Sequence, residues 1–480
     1  MQTPQEQIET LFNLNYVAQH ISITKLPPSG GDRVYYRIVA DLKDSFIATY
    51  SLNVKENKSF FYFTNHFKNA KAPVPTILAI NHDETIYIQQ DFGDASLLSI
   101  LEANGPTEQV KNLYKKTLKA LAHIQIRGDE GLDYSQCITS KQFGKQAILS
   151  DFLYFKYYFL DTLKIPYDKE KLGDDLEALS NYLNHADFKF FLCRDFQARN
   201  VMIENDMPFF IDYQGGMHGA LQYDVASLLW QAKANLSEQW KNELLHYYMA
   251  CAEEQLNLPI DKIRFVSQYN GYVLIRLLQV LGAYGFRGLL ERKAHFLTSI
   301  PLALLNLQSF LQNNNLGISV PEFEKVLARI VAPDVINKFE PIKATADTPL
   351  VVHIKSFSYL KSGYPSNVST NGGGFVFDCR GILNPGRVDE YKQQTGRDKP
   401  VQDYLVDKTR MDEFLSGVFS TVDISVEDYI KRNFEVLEVN FGCTGGQHRS
   451  VYAADALARH LKNKYAVNTT VKHIEQNFEL

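Results

Sequence analysis

From residue 97 to about 311, apolar side chains recur at spacings of three and four. This long helical stretch limits the fold more than any other feature. Segments 110–126, 152–163, 221–234 and 265–283 show the pattern most clearly. One interruption breaks it. Residues 190–211 hold two apolar runs around a polar loop, which predicts short strands inside a helical body. Before the helical stretch the chain reads as β-rich. Residues 34–40 and 45–50 predict two strands joined by the turn Asp41-Leu42-Lys43-Asp44. Residues 85–90 predict a third, which runs into Asp91-Phe92-Gly93-Asp94, and 58–69 between them have helical character.

Residues 313–347 change character: Asn313-Asn314-Asn315, then Pro321, Pro333, Pro341 and Pro349 punctuate a predicted linker, with 323–330 as a candidate last helix. Beyond it, strand patterns at 351–357, 374–378 and 436–442 alternate with helix inside 412–433 and an amphipathic helix at 449–463. That alternation predicts a separate small α/β domain.

Composition excludes some classes. Hydrophobic residues at 45% and charged residues at 22% are those of a folded chain, not a disordered one. The 31 Phe and 27 Tyr against 2 Trp supply an aromatic core for more than one folding unit across 480 residues. No apolar run approaches the roughly 18 residues of a membrane span, and the first residues lack the basic start and apolar run of a secretion signal. The 5 cysteines (137, 193, 251, 379, 443) form no CxxC pair, so a reducing cytoplasm is expected and no disulfide framework. Net charge is -5, no general nucleic-acid footprint. From residue 348 onward the chain has 16 Lys+Arg and 16 Asp+Glu, so the whole -5 sits in the preceding part, at 34 against 39.

The interruption carries the chemistry. It reads Cys193-Arg194-Asp195-Phe196-Gln197-Ala198-Arg199-Asn200, then an apolar run at 208–211, then Asp212-Tyr213-Gln214. Phosphoryl transfer needs a carboxylate to take the acceptor's proton, and oxygen ligands to hold magnesium on the nucleotide phosphates. Asp195 and Asn200, five residues apart, place base and metal ligand on one loop, and Asp212 at the next strand's end is the second ligand. Alone, each carboxylate reads as a turn or cap residue. Asp224 reads as a helix cap. The aromatic run from Phe152 to Phe159 reads as a core helix, with a sugar-stacking wall as its second use.

This arrangement resembles the aminoglycoside phosphotransferase and choline kinase superfamily over residues 10–320. Its RDFxxRN and IDYQ motifs look most like the anomeric kinases of N-acetylmuramate and N-acetylglucosamine. The resemblance implies a bilobal protein-kinase-like fold, with an N-lobe at 1–94 and a helical C-lobe at 95–320, then a linker at 321–347 and the α/β domain at 348–480. It implies ATP and Mg2+, with Ser29, Gly30, Gly31, Arg33, Arg37 and, at the lobe hinge, Asp91 as the nucleotide contacts. The usual histidine two before the base is Cys193, and strand 46–50 has no lysine, so Arg33 or Arg37 is the expected phosphate contact.

The second constellation is strand 436–441, then Gly442-Cys443-Thr444-Gly445-Gly446-Gln447-His448-Arg449-Ser450, then a helix. A glycine-rich turn at a helix N-terminus gathers unpaired N–H groups around an anion. Thr444, Gly445, Gly446, His448, Arg449 and Ser450, with Arg380, are the candidate anion contacts. Cys443-x-x-Gly446-x-x-Arg449-Ser450 also satisfies the spacing of cysteine-dependent phosphatases, without their preceding histidine. The whole run is similar to the C-terminal domain of RapZ adaptor proteins. So are Phe377-Asp378-Cys379-Arg380, Asn384-Pro385 and Thr395-Gly396-Arg397-Asp398-Lys399-Pro400-Val401, across 350–480. That likeness implies binding of glucosamine-6-phosphate, self-association through this domain and, in some members, regulatory RNA. The net-zero charge disfavours RNA. A histidine the family carries after Asn-Pro is Gly386 here.

The reading is therefore an ATP-dependent phosphotransferase acting on a sugar or amino-sugar hydroxyl, in the cytoplasm and without a membrane, with a sugar-phosphate-binding C-terminal domain. Two rivals are a kinase-shaped scaffold without turnover, sensing a sugar phosphate or binding RNA, and a Cys443-dependent phosphatase.

Overall fold

Thr3 opens the first helix with a capping box: its hydroxyl accepts from Glu6 N and Glu6 returns a bond to Thr3 N. The computed structural model describes residues 3–27, 32–41, 44–291, 294–340, 342–366, 374–476 and 478–479. They divide into two compact units, Met1–Phe339 and Glu340–Leu480.

The first unit begins with α1 (Pro4–Asn15), β1 (Ile21–Lys25), β2 (Val34–Ala40), β3 (Asp44–Tyr50), α2 (Val54–Asn69), β4 (Ile77–Ile80) and β5 (Ile86–Gln90). The strands make an antiparallel sheet in the order β1-β2-β3-β5-β4. Successive side chains in a strand face opposite ways. Ile86 and Ile88 join Ile38, Ala48 and Phe12 of α1 in one core, while Tyr87 between them packs its ring on Phe60 and Phe61 of α2.

The larger part follows with α3 (Leu97–Asn104), α4 (Glu108–Ile126), α5 (Lys145–Phe155) and α6 (Lys169–Asn184). Two short pairs interrupt it. β6 (Lys189–Leu192) pairs with β9 (Met217–Ala220), and β7 (Val201–Glu204) with β8 (Met207–Phe210). Then come α7 (Gln222–Leu229), α8 (Glu238–Leu256), α9 (Lys262–Tyr284), α10 (Ala294–Leu297) and α11 (Ile300–Asn313). The stretch Lys262–Leu290 is long and apolar enough to cross a membrane, which the sequence count above did not find; yet 56% of its most apolar window is buried among the other helices. Gly285, just past α9, has no room for a Cβ, which would lie 2.2 Å from the Tyr158 carbonyl oxygen.

The predicted linker at 321–347 is corrected over its first half. Residues 321–336 form α12 (Pro321–Ile330) and α13 (Pro333–Ile336), each with proline in its first turn, where the missing N–H costs nothing. Asp175 accepts from the free Glu322 and Phe323 amides at the start of α12. Phe323, Val326, Leu327 and Ile330 are buried in the first unit's core. Each contributes on the order of 1.5–3 kcal/mol, which outweighs the breaker signal of the prolines.

The second unit holds β10 (Val351–Ser358), β11 (Gly374–Asp378), α14 (Lys399–Lys408), α15 (Met411–Arg432), β12 (Val436–Cys443), α16 (Arg449–Tyr465), β13 (Asn468–His473) and β14 (Phe478–Glu479). Its sheet order is β11-β12-β10-β13-β14, parallel through β13 and closed by an antiparallel edge. In the two central strands apolar and polar residues alternate, with Val352 and Ile354 of β10 and Leu437, Val439 and Phe441 of β12 in the second unit's core.

Candidate functional site

β6 ends at Leu192, and the chain must turn sharply to present the next residues. Arg194 takes φ +78 and Asp212 φ +65, left-handed positions rare for residues with a Cβ. A buried carboxylate holds the first turn. Asp224 accepts from Cys193 N at 2.7 Å and Arg194 N at 3.1 Å, and from Gln125 Nε2 at 3.1 Å. Asp224 is therefore a support for the loop and not a helix cap; α7 is capped by Leu221, without a side-chain bond. Burial pushes its carboxyl up to about 6, against the two amide bonds and the charge of Arg276.

Arg194 is fixed too. Its Nη2 donates to Asp151 Oδ1 at 2.7 Å, its Nη1 to the Tyr223 hydroxyl at 2.8 Å, and its plane lies over the Phe143 ring at 4.5 Å. Between these anchors Asp195 keeps 49% of its side chain exposed, with Arg276 Nη2 of α9 at 3.6 Å from Oδ1.

The structure brings the expected trio together. Asn200 Nδ2 donates to Asp195 O at 2.9 Å and to Asp212 Oδ2 at 3.2 Å. Ile211 N donates to Asn200 O, so the β7–β8 hairpin delivers Asp212 beside Asn200. The contacts continue into the sheet lobe. Gln214 Nε2 donates to Asp212 Oδ1 at 2.8 Å and to Glu56 Oε1 of α2 at 3.3 Å, and Glu56 Oε1 lies 2.8 Å from Arg33 Nη2. Tyr213 locks the same junction, with its ring 5.5 Å from Phe60 and its hydroxyl 2.6 Å from Thr64. Asn200 and Asp212 offer the hard oxygen donors that magnesium takes.

Arg37 of β2 and Arg33, the residue just before that strand, part company. Arg37 is clamped by Asp91 through Nε at 2.7 Å and Nη2 at 3.2 Å, by Asp94 through Nη1, and by Gly93 O. Asp91 also accepts from Ser45 and Gly93 N, with only 3% of its side chain exposed. The expectation of nucleotide contacts at Arg37 and Asp91 is thus corrected: their polar atoms are spent on bracing the hinge. Arg33 has no such carboxylate clamp besides Glu56, and its Nε is buried without a partner among the described residues. Ser29, Gly30 and Gly31 lie outside the described residues.

Sequence reasoning missed Glu56, Gln214, Arg276 and the loop-holding role of Asp224. Glu56 had a signal, because Asn53 three residues earlier caps α2. Arg276 had none, since it sits inside an ordinary apolar helix.

In the second unit β12 runs through the turn into α16 as expected, but most of the candidate anion contacts are occupied. Arg449 is 4% exposed and donates to Ile382 O at 2.8 Å, Arg380 O at 3.2 Å and Thr444 Oγ1 at 3.3 Å. The His448 ring bonds Tyr391 O at 2.9 Å. Ser450 is wholly buried, 3.1 Å from Cys443 Sγ. Arg380 pairs with Asp378 and lies over the Tyr359 ring. Gly446, at φ +68, sits under Glu475, whose Cγ lies 2.3 Å from where a Cβ would stand. Ser450 and Gly446 are therefore corrected to structural positions, because their surroundings leave a ligand no access. Thr444 is exposed and Gly445 has open space around it. The phosphatase rival fares worse: Cys443 is 2% exposed and its sulfur receives the Gly446 N–H at 3.2 Å.

Comparison with known proteins places both units. Residues 23–255 match the phosphotransferase enzyme family, and residues 350–477 the RapZ C-terminal domain. A nucleotide-binding protein of Bifidobacterium longum (strain NCC 2705) is 37% identical over 139 residues, 29% of this chain and 40% of that protein. One from Thermotoga neapolitana is 37% identical over 122 residues, 25% of this chain and 41% of that one. The chain thus spans about two fifths of the length of these curated relatives. Among solved structures, choline kinase from Cryptosporidium parvum aligns at 14% identity and TM-score 0.45, covering 68% of this chain and 98% of that one. Plasmodium vivax ethanolamine kinase aligns at 11% and 0.44, covering 60% and 82%. Residues 23–255 are thus similar to the phosphotransferase enzyme family, and residues 350–477 of the same chain to the RapZ C-terminal domain.

Proposed function

We propose that this protein transfers the γ-phosphoryl group of ATP to a hydroxyl of a sugar or amino sugar, the anomeric one above all, and that its C-terminal domain binds a sugar phosphate. The observation that carries the first part is Asp195, whose carboxylate is half-exposed while its backbone carbonyl accepts from Asn200 Nδ2, which also donates to Asp212 Oδ2.

In the reaction Asp195 orients the acceptor hydroxyl and takes its proton as the new O–P bond forms and the bond from the γ-phosphorus to ADP breaks. Asn200 and Asp212 would hold magnesium, which would supply charge neutralisation on the phosphates. Arg33 takes the place of the missing strand lysine. It approaches from the residue before β2 instead of from β3, and Glu56 and Gln214 tie it to Asp212. Tyr154, Tyr158 and Phe286 stack edge to face within reach of one another and form the apolar wall that a sugar ring would lie against. In the second unit Thr444 and the open Gly445 at the head of α16 are the groups left for a phosphate.

ATP consumption measured against N-acetylglucosamine, N-acetylmuramate and related sugars, for the wild type and Asp195→Ala, tests the kinase reading. Sugar-dependent turnover lost in the variant supports it, and equal background in both across the panel refutes it. A thermal shift with glucosamine-6-phosphate, absent in Thr444→Val, tests the second site.

A further inference from the structure

A buried cation needs a counter-charge, and Arg276 has an informative one. It lies on α9 with 4% of its side chain exposed. Nη1 donates to the Tyr223 hydroxyl and to Gln279 Oε1, both at 3.0 Å, while Nε is buried with no partner among the described residues. Two neutral acceptors do not neutralise a guanidinium that has left water. The nearby carboxylate Asp151 is already bonded to Arg194, and Asp224 is spent on the loop amides. Among the described residues the carboxylate within ion-pair reach of Arg276 is Asp195, at 3.6 Å.

The Tyr223 hydroxyl accepts from both Arg276 and Arg194, so one phenol ties together the residue before the proposed base and the cation beside its side chain. Asp224 fixes the backbone of the loop, and Arg194 fixes the flank. Neither touches the Asp195 carboxylate, which the Asn200 amide also leaves alone, since that amide bonds the Asp195 backbone carbonyl. At 3.6 Å the Arg276 contact is long for a hydrogen bond but strong as a charge pair on the protein side of a half-exposed group.

We propose that Arg276 is a positioning residue for the base: it draws one carboxylate oxygen against the protein wall and so leaves the other aimed at the acceptor. This rests on the kinase reading of Asp195. A misplacement of about 1 Å in such a group costs on the order of 100-fold in rate.

The test is a double-mutant cycle of Asp195→Ala and Arg276→Met, with Arg276→Lys beside them. Expected for Arg276→Met is a fall in kcat of roughly 10- to 100-fold with KM for ATP within about twofold, and partial recovery in Arg276→Lys. In the Asp195→Ala background Arg276→Met should cost no further rate. Unchanged kcat in Arg276→Met, a rise in KM for ATP alone, or losses that multiply in the double variant would each overturn the proposal. The same four proteins are melted, because the ion pair predicts non-additive shifts whether or not a sugar in the panel is the true acceptor. Additive shifts also overturn it. A failed kinase reading shows differently, as a wild type that consumes no more ATP than Asp195→Ala.

Discussion

The contact between Arg33 and Glu56 makes two predictions of different kind from one perturbation. Arg33 is 10% exposed and Glu56 24%, and their atoms approach to 2.8 Å. Unit charges at that distance attract by about 1.5 kcal/mol in water and about 6 kcal/mol at an effective dielectric of 20. Surface pairs contribute about 0–1 kcal/mol net, while removing one partner of a buried pair costs about 3–5. The intermediate exposure of this pair places Glu56→Ala near 2 kcal/mol. The first unit spans residues 1–339. With an unfolding entropy of about 2.1 cal/mol/K per residue, that cost lowers its melting temperature by about 3 °C. Arg33→Met should lower it less, because Glu56 can turn to water more easily than a nearly buried guanidinium can. Function separates the two arginines further. Arg33→Met should raise KM for ATP at least tenfold, whereas Arg37→Met, which only loosens the clamp by Asp91 and Asp94, should lower the melting temperature and leave KM within about twofold. Calorimetry and a coupled ADP-release assay read both. If Arg33→Met keeps both kcat and KM for ATP at wild-type values, the idea that this arginine replaces the strand lysine is wrong.

Three further outcomes follow from single sites. Asp224 has its carboxyl raised from 3.8 to about 6 by burial, so folding takes up a proton in that window and this group's contribution to stability falls as pH rises through it, by about 3 kcal/mol. Chemical denaturation of wild type and Asp224→Asn at pH 4 and pH 7 should therefore show the variant gaining on the wild type at the higher pH; a pH-independent difference refutes the assignment. Gly446→Ala combines a positive φ with a clash against Glu475, so it should destabilise the second unit by about 1–3 kcal/mol and lower its denaturant midpoint. Cys443→Ser should leave p-nitrophenyl phosphate hydrolysis at the blank level of the wild type, because the sulfur is covered by its own turn.

The period of the apolar residues made the two-part first unit and the α/β second unit legible. It did so because burial on one face writes directly into spacing. Asp195, Asn200 and Asp212 were legible for the same reason, since a loop of fixed length between two strands constrains three positions of one local segment. Where the reading failed, the physics was of another kind. Pro321 and Pro333 read as breaks, yet each starts a helix whose apolar stripe finds a core. Proline marks a boundary of an element without saying on which side the element lies. Arg37 and Arg449 read as free cations for a phosphate, and both are consumed by neighbours: one by the hinge carboxylates, the other by carbonyls at Arg380 and Ile382. A guanidinium carries five donors, so its type and its place beside a glycine turn cannot tell whether those donors face a ligand or the protein. The reverse error is Arg276. Nothing in an apolar helix announces that one arginine will be buried against a carboxylate from a distant loop, because that neighbour is set by tertiary packing alone. Charge in this chain is therefore informative where the fold leaves it poorly paired. By that criterion Arg33 and Arg276, whose Nε atoms are buried without partners among the described residues, are the arginines on which the proposed kinase reading is best tested, ahead of the more exposed ones that the sequence brings to notice.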